Sequence, residues 1–109
     1  MNAVNEKDDV MSKYYDDNMV TALISFKADI KKIDDFSKSL SNFKNVEDIF
    51  IVTGDTDIII KAKFKSYKEL KEFVINDVSK LDGYKDSQTM MVVTTYKEKG
   101  TVLEGDKNA

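Results

Sequence analysis

Residues 46–64 read VEDIFIVTGDTDIIIKAKF, two apolar runs joined by a short turn that contains one glycine and two aspartates. The first run, residues 46–53, is rich in valine, isoleucine and phenylalanine, a composition typical of a β-strand. In the second run, residues 57–64, the apolar residues at even positions alternate with Ile59, Lys61 and Lys63. A period of two predicts a strand with one buried face. The stretch therefore predicts two neighbouring strands that meet at a tight turn.

One strand and one helix are predicted before this pair of strands, and one helix and one strand after it. Residues 19–27 alternate like a strand, and Asp29 can cap a helix that ends at residues 42–45. Ser66 and Glu69 form a capping box for the second helix, which Gly83 ends. Residues 85–96 predict the last core strand. The apolar residues at helical spacing are Ile30, Ile33, Phe36 (or Ser37) and Leu40 on the first helix, and Leu70, Phe73, Val74, Val78 and Leu81 on the second.

The predicted order β-α-β-β-α-β is that of the ferredoxin-like α+β fold, a four-stranded antiparallel sheet with two helices on one face. The expected domain spans residues 19–97. Residues 1–18 are polar and acidic, and we interpret them as a flexible arm or as a short helix that docks on a neighbouring subunit. In the helical alternative, Val10, Met11, Tyr14 and Tyr15 form one apolar stripe. The tail, residues 98–109, holds one weak extra strand from Thr101 to Leu103.

Two helices cover only one face of such a sheet, yet both faces carry large apolar side chains. Burying one such side chain is worth about 1.5–3 kcal/mol, so an uncovered set would be costly and adhesive. A second copy packed sheet against sheet is the simple solution, and the pattern therefore predicts a homodimeric αβ sandwich. The apolar residues expected on the second face are Leu23, Phe50, Val52, Ile59, Met90 and Val92.

Composition excludes several classes of function. The 109 residues contain no cysteine and no histidine, which removes thiol chemistry, the commonest metal ligand and the usual general base. All 17 basic residues are lysine and the net charge is -3, so we expect no direct binding of nucleic acid. No apolar run is long enough to span a bilayer, and we expect a cytoplasmic protein with no membrane association. Neither a cofactor nor a metal is expected.

The turn resembles a motif of a known family. VTGDTDIIIKAKF, residues 52–64, is similar to the Val-Thr-Gly-Asp-Tyr-Asp-hydrophobic run in the effector domain of the leucine-responsive/asparagine regulator (Lrp/AsnC) family. That domain is also called RAM, for regulation of amino acid metabolism. LDGYKDSQTMMVV, residues 81–93, resembles the Leu-Pro-Gly-Val…Thr-x-Thr-hydrophobic run of the same domain. The chain departs from the family pattern at Thr56, often tyrosine, at Asp82, often proline, and at Tyr84, where the family has valine.

The resemblance, which covers Met19 to about Lys97, implies a domain that binds a small effector, typically an amino acid, between dimers. It also implies higher oligomers such as octamers, and co-assembly with full-length regulators of the family. Only eighteen residues precede the first strand, so we expect a stand-alone effector domain without a DNA reader, acting on transcription or metabolism through partner proteins. The residues expected to bind the ligand are Thr53, Gly54, Asp55, Thr56, Asp57, Gln88 and Thr89.

Other interpretations of the same residues stay open. Gly54 and Asp55 can simply form a hairpin turn, as these residue types do in many proteins. Asp55 and Asp57 can hold a cation, but the calcium-loop pattern needs further ligands where the chain has Ile59 and Ile60. A dimeric α/β-barrel enzyme is an alternative class, although no acid–base pair is evident. An ACT-type amino-acid module shares the fold, but its glycine after the first strand is replaced here by Ala28-Asp29.

Overall fold

The computed structural model describes residues 19–103, whose core is one four-stranded antiparallel sheet with helices on one face. This arrangement confirms the ferredoxin-like α+β fold. The strand order is β2-β3-β1-β4, so the two central strands are β3 and β1 and the edges are β2 and β4. The predicted arm, residues 1–18, lies outside the described residues, as does the end of the tail from residue 104. The strands are β1 (Val20–Ala28), β2 (Val46–Ile51), β3 (Ile58–Phe64) and β4 (Tyr84–Met91).

Both helical segments begin at the side-chain caps that the sequence predicts. Asp29 accepts a hydrogen bond from the Lys31 N–H at 3.1 Å, and the Ser66 hydroxyl accepts one from the Glu69 N–H at 3.2 Å. The Glu69 carboxylate reaches back to the Lys65 N–H at 3.0 Å, one residue before the cap. The first segment is a 3₁₀ turn (Ile30–Lys32) followed by α1 (Ile33–Ser41); the second is α2 (Tyr67–Glu72), a π-helical turn (Phe73–Asp77) and a 3₁₀ turn (Val78–Lys80).

The core lies between the helices and the even-numbered side chains of the two central strands. Phe26 makes edge-to-face contacts with Phe36, at 5.5 Å between ring centroids, and with Tyr84, at 6.3 Å. Most of the predicted helical stripe is buried or partly buried, but Ile30 is 74% exposed because it falls in the 3₁₀ turn and not on α1. Within residues 19–103, no helix is long and apolar enough to cross a membrane. The fully buried core residues include Ala22, Ile24, Phe26, Phe36, Leu40, Ile58, Ile60, Ala62 and Val78.

The uncovered face of the sheet carries the odd-numbered side chains of β1 and β3. It also carries the even-numbered ones of β2 from Asp48 and of β4 from Asp86, beyond the register shifts. Register pairs Leu23 with Met90 and Phe50 with Ile59 across neighbouring strands. Leu23, Phe50 and Met90 are 36%, 57% and 49% exposed. We call this surface, made of Leu23, Phe50, Val52, Ile59, Met90 and Val92, the open face.

The last core strand ends at Met91, five residues before the predicted end at residue 96. The strand stops close to the point where its partner β1 begins at Val20, and the Val92 N–H still donates to the Thr21 carbonyl at 2.9 Å. The chain then forms a small hairpin of β5 (Lys97–Glu98) and β6 (Thr101–Val102). The predicted strand at Thr101 thus pairs within this hairpin and not with the main sheet.

An ion pair holds this hairpin to the sheet. The Lys61 ammonium on β3 donates to the Glu98 carboxylate and also lies 3.7 Å from Glu47. The hydrogen bond with Glu98 raises the pKa of Lys61, and the same bond lowers the pKa of Glu98. Glu47 also lies 3.6 Å from Lys63, so opposite charges alternate along this edge of the sheet.

Gly83 and Gly54 offer a matched test of how the turns are packed. Both have positive φ, +97° and +117°, which costs a residue with a Cβ about 1–2 kcal/mol. A Cβ at Gly83 would lie 3.2 Å from the Cβ of Lys32, whereas one at Gly54 would meet nothing within 4 Å. We therefore expect Gly83→Ala to lower the free energy of unfolding more than Gly54→Ala, as measured by urea denaturation. Equal losses in the two variants would contradict the packing of Gly83 against α1.

Candidate functional site

The turn between β2 and β3 is fastened to the end of β1. The Asp57 N–H and the Thr56 hydroxyl both donate to the Phe26 carbonyl, at 3.0 and 2.9 Å. One oxygen of the Asp57 carboxylate accepts from the Ala28 N–H at 3.0 Å. The β1–β4 register shifts between Lys27 and Ala28, and the side chain of Asp57 binds the backbone group at this irregularity. The turn is therefore positioned by hydrogen bonds from residues that also belong to the predicted site.

Gly54 and Asp55 form the exposed tip of this turn. The positive φ of Gly54 lets the chain reverse without a strained side chain. Within residues 19–103, the N–H groups of Gly54 and Asp55 donate to no protein acceptor. Free N–H groups in a tight turn can bind an anionic oxygen such as a carboxylate.

A pocket of about 310 Å³ lies on the open side of the sheet, between this turn, the end of β1 and the start of β4. Its apolar floor includes Ile59 and Met90. Its rim carries the ammonium of Lys27 and the carboxylates of Asp55 and Asp86. The complete lining is Ser25, Phe26, Lys27, Asp55, Thr56, Ile59, Asp86, Ser87, Gln88 and Met90.

Strand register explains why these residues meet. Ser25 on β1 is opposite both Ile59 on β3 and Gln88 on β4, so the three form one row across the sheet. Lys27 is opposite Asp86 in the next row towards the end of β1. Opposite charges therefore lie side by side on a surface whose floor is apolar. This arrangement suits a small ligand that carries both an anionic and a cationic group.

The structure brings some of the predicted site residues together and separates others. Asp55, Thr56 and Gln88 line the pocket. Thr53 and Gly54 lie in the exposed turn beside it. Asp57 lies at the base of the turn, where one oxygen of its carboxylate accepts a hydrogen bond from the backbone of β1. Thr89 lies apart from all of them, because it is opposite the buried Ile24 and faces the helix side of the sheet.

Seven residues of the pocket were not predicted as site residues, and four of them are polar: Ser25, Lys27, Asp86 and Ser87. Their side chains are common surface types, and none stands out in the sequence. The one available signal was the alternation of β1 and β4, which places Ser25 and Lys27 on the same face as Gln88 once the register is known. Within residues 19–103, no three side chains of the metal-binding types are grouped to hold an ion.

Comparison with known proteins identifies similar sequences. A sequence model described as the Lrp/AsnC ligand binding domain matches residues 21–102. An uncharacterised HTH-type transcriptional regulator of Pyrococcus abyssi is 35% identical over 79 residues, which are 72% of this chain and 53% of that protein. A regulator of Pyrococcus furiosus of the same description matches with the same identity and coverage. The chain therefore spans about half the length of the curated relatives it matches.

Solved structures with the same fold come from several bacteria. A transcriptional regulator of Neisseria meningitidis in complex with L-Met has a TM-score of 0.70 and 22% identity, covering 81% of this chain and 58% of that one. Escherichia coli AsnC has a TM-score of 0.69 and 21% identity, covering 73% and 54%. A Thermus thermophilus protein has a TM-score of 0.67 and 19% identity, covering 72% of this chain and 99% of that one. These similarities show the fold.

The different situations of Asp57 and Asp55 generate a prediction about stability. Asp57→Ala removes a charged acceptor from the half-buried Ala28 N–H, so we expect it to lower the free energy of unfolding by about 1.5–3 kcal/mol. Asp55→Ala, in the exposed tip of the same turn, is the matched control and should change it by less than about 0.5 kcal/mol. Chemical denaturation of both variants without ligand makes the measurement. Equal stability of the two variants would show that Asp57 does not fasten the turn.

Proposed function

Because the chain belongs to the Lrp/AsnC ligand binding domain family, we propose that it binds a small amino acid in the pocket beside the turn. Occupancy of this pocket would then modulate transcription or metabolism through partner proteins in the cytoplasm. The observation that carries the proposal is the rim of opposite charges, Lys27 against Asp55 and Asp86, above an apolar floor. The family is a domain of transcriptional regulators, which supports a regulatory role without catalysis.

The residues around the pocket suit the groups of an α-amino acid. Asp55 and Asp86 are exposed carboxylates that can accept hydrogen bonds from an α-ammonium group. Lys27 and the free N–H groups of the turn can bind the α-carboxylate. Without arginine the carboxylate has no bidentate partner, so we expect modest affinity.

The floor of the pocket favours an apolar ligand side chain. Ile59 and Met90 offer aliphatic and thioether surface, and Gln88 adds a neutral polar group at its edge. A sulfur-containing or branched aliphatic side chain would bury apolar area here, whereas a charged one would lose solvation. The Neisseria meningitidis regulator of the same fold was solved with L-Met, which makes L-methionine the first ligand to test.

We propose a homodimer through the open face as the basic unit, with rings of dimers such as an octamer as the larger assembly. The open face exposes Phe50 at 57% and Met90 at 49%, apolar area that a second copy would remove from water. Ile59 and Met90 belong both to this face and to the pocket floor. Ligand binding and assembly would therefore affect each other.

Co-assembly with full-length regulators of the family would connect this domain to DNA, since both partners would present the same open face. The chain itself has a net charge of -3, which disfavours direct contact with a polyanion. We therefore propose that partner subunits, and not the residues of this sheet, supply the contact with DNA.

Thermal stability in the presence of ligand tests the site. A ligand that binds only the folded chain stabilises it by RT ln(1 + [L]/Kd), about 2.7 kcal/mol at a hundredfold excess over Kd. In a screen of the amino acids, we expect L-methionine or another apolar amino acid to raise the melting temperature of the wild type. The increase should be lost in Asp55→Asn, which leaves the shape of the turn unchanged.

The matched control is Asp77→Asn, an equivalent loss of charge at an exposed position on the helix layer. It should keep the full response to the ligand. A ligand that stabilises both variants equally would bind elsewhere, and the turn would then be only a hairpin.

Light scattering tests the dimer. We expect the wild-type chain at low micromolar concentration to have at least twice the 12.4 kDa mass of one copy. Met90→Glu places a charge on the open face and should lower the mass to that of a monomer. Met91→Glu is the matched control, because Met91 has nearly the same exposure, 48%, but lies on the other face. A wild-type mass of 12.4 kDa, or equal effects of the two variants, would exclude dimerisation through the open face.

A further inference from the structure

A second depression, of about 300 Å³, lies on the opposite side of the sheet from the ligand pocket. It runs between the helical layer and the edge strand β4. Tyr67, Ile75 and Met91 in its wall are 60%, 55% and 48% exposed. We call this surface the edge groove; it is lined by Tyr67, Leu70, Lys71, Val74, Ile75, Thr89 and Met91.

The edge groove is separate from the open face, so a sheet-to-sheet dimer would leave it uncovered. Met90 and Met91 show this directly, since neighbouring residues of β4 point to opposite faces. Three large side chains in one groove form a contiguous apolar surface, which is typical of a place where another segment binds.

The chain enters the described structure at one end of this groove. β1 begins at Val20, which is opposite Phe64 in the register, and Tyr67 begins α2 three residues after Phe64. On the other side of β1, Ala22 is opposite Met91. The start of β1 therefore lies close to the end of the groove formed by Tyr67 and Met91.

The sequence of residues 8–17, DDVMSKYYDD, is short enough for the groove and has a suitable apolar character. Val10, Met11, Tyr14 and Tyr15 would form one apolar stripe on a helix, about 7.5 Å long at 1.5 Å per residue. The groove runs along the helical layer from Tyr67 to Ile75, about 12 Å on the same scale. Residues 16–18, if extended at about 3.3 Å each, can cross from β1 past β4 to reach it.

Charge also favours this segment. Lys71 lines the groove and Lys68 lies one turn before it on the same flank of α2. Within residues 19–103, neither lysine has an ion-pair partner. The segment supplies two aspartates at each end of its apolar stripe, Asp8 and Asp9 before it, Asp16 and Asp17 after it.

We propose that residues 8–17 dock in the edge groove of their own chain, with the stripe of Val10, Met11, Tyr14 and Tyr15 against Tyr67, Ile75 and Met91. The aspartates that flank the stripe lie near Lys68 and Lys71. The docked segment covers the outer side of β4, and its removal exposes both the apolar groove and the edge of the sheet.

Paramagnetic broadening in the full chain tests this placement. The chain has no cysteine, so Ser12→Cys gives one unique position for a nitroxide, on the side of the predicted helix away from its apolar stripe. We expect the label to weaken the amide signals of Tyr67, Ile75 and Met91 strongly. The signals of Phe50 and Ile51, on the opposite edge strand β2, should be unaffected.

Two comparisons decide between the outcomes. Met11→Asp with Tyr14→Asp should remove the broadening, whereas Asn2→Asp with Asn5→Asp, which adds the same charge outside the stripe, should preserve it. Signals of residues 20–91 report whether each variant keeps its fold. No broadening in the labelled chain would overturn the proposal. In a mixing experiment, chains that carry the nitroxide are combined with chains that carry only the isotopic label. Full broadening in the second set would also overturn the proposal, because the segment would then dock on a second copy.

Discussion

The hydrogen bond between the Asp57 carboxylate and the Ala28 N–H connects the end of β1 to the start of β3, beside the pocket that we propose as the ligand site. β1 and β3 are paired along their length, but the register of β1 with β4 shifts at Lys27 and Ala28. At this point a backbone N–H lacks its ladder partner, and a buried donor without a partner costs about 1–3 kcal/mol. Asp57 supplies the acceptor, and Thr56 and the Asp57 N–H both bind the Phe26 carbonyl beside it.

The two aspartates of the turn have different structural roles. Asp57 is half-buried and holds the turn against β1, whereas Asp55 is exposed at the tip and faces the pocket. Gly54 allows the chain to reverse between them with a φ of +117°. A turn fastened at its base therefore holds the Asp55 carboxylate beside the pocket, so the ligand proposed above would lose little affinity to ordering of the turn.

The position of the pocket also links it to assembly. Its floor, Ile59 and Met90, belongs to the open face that we propose as the dimer surface. If the ligand changes the dimerisation constant by some factor, its affinities for the dimer and for the monomer differ by that same factor. The proposed sensing function needs no more than this coupling, since the oligomeric state can then report the concentration of the ligand.

Alternation and capping residues were sufficient to predict the fold, because each acts locally. Period-two patterns located the strands, and Asp29 and Ser66 marked the helix starts where the structure has them. Gly83 has the predicted positive φ but lies three residues after the helical segment ends at Lys80. The site was predicted only in part, because it depends on register. Lys27 and Asp86 become neighbours only through the pairing of β1 with β4, which no local pattern encodes.

Thr89 shows that residues adjacent in sequence can lie on opposite faces of the sheet. It is adjacent to Gln88 in the chain, but alternation along β4 turns it to the helix side, opposite Ile24. The choice between faces was not decidable from sequence, since both faces of β3 carry isoleucine and β1 has Leu23 on one face and Ile24 on the other. The helices settle it by burying Ile58 and Ile60, which leaves Ile59 on the open side.

A nuclear magnetic resonance titration of the full chain with L-methionine tests the central claim most directly, because neighbouring isoleucines of β3 report on opposite faces of the sheet. Ile59 lines the pocket, and Ile60 is fully buried under the helices. The account predicts saturable shifts of the Ile59 methyl and of the Gln88 side-chain amide, with the Ile60 methyl unchanged. If every apolar amino acid leaves the Ile59 and Gln88 signals in place, or shifts signals only on the helix side, the pocket beside the turn is not the binding site.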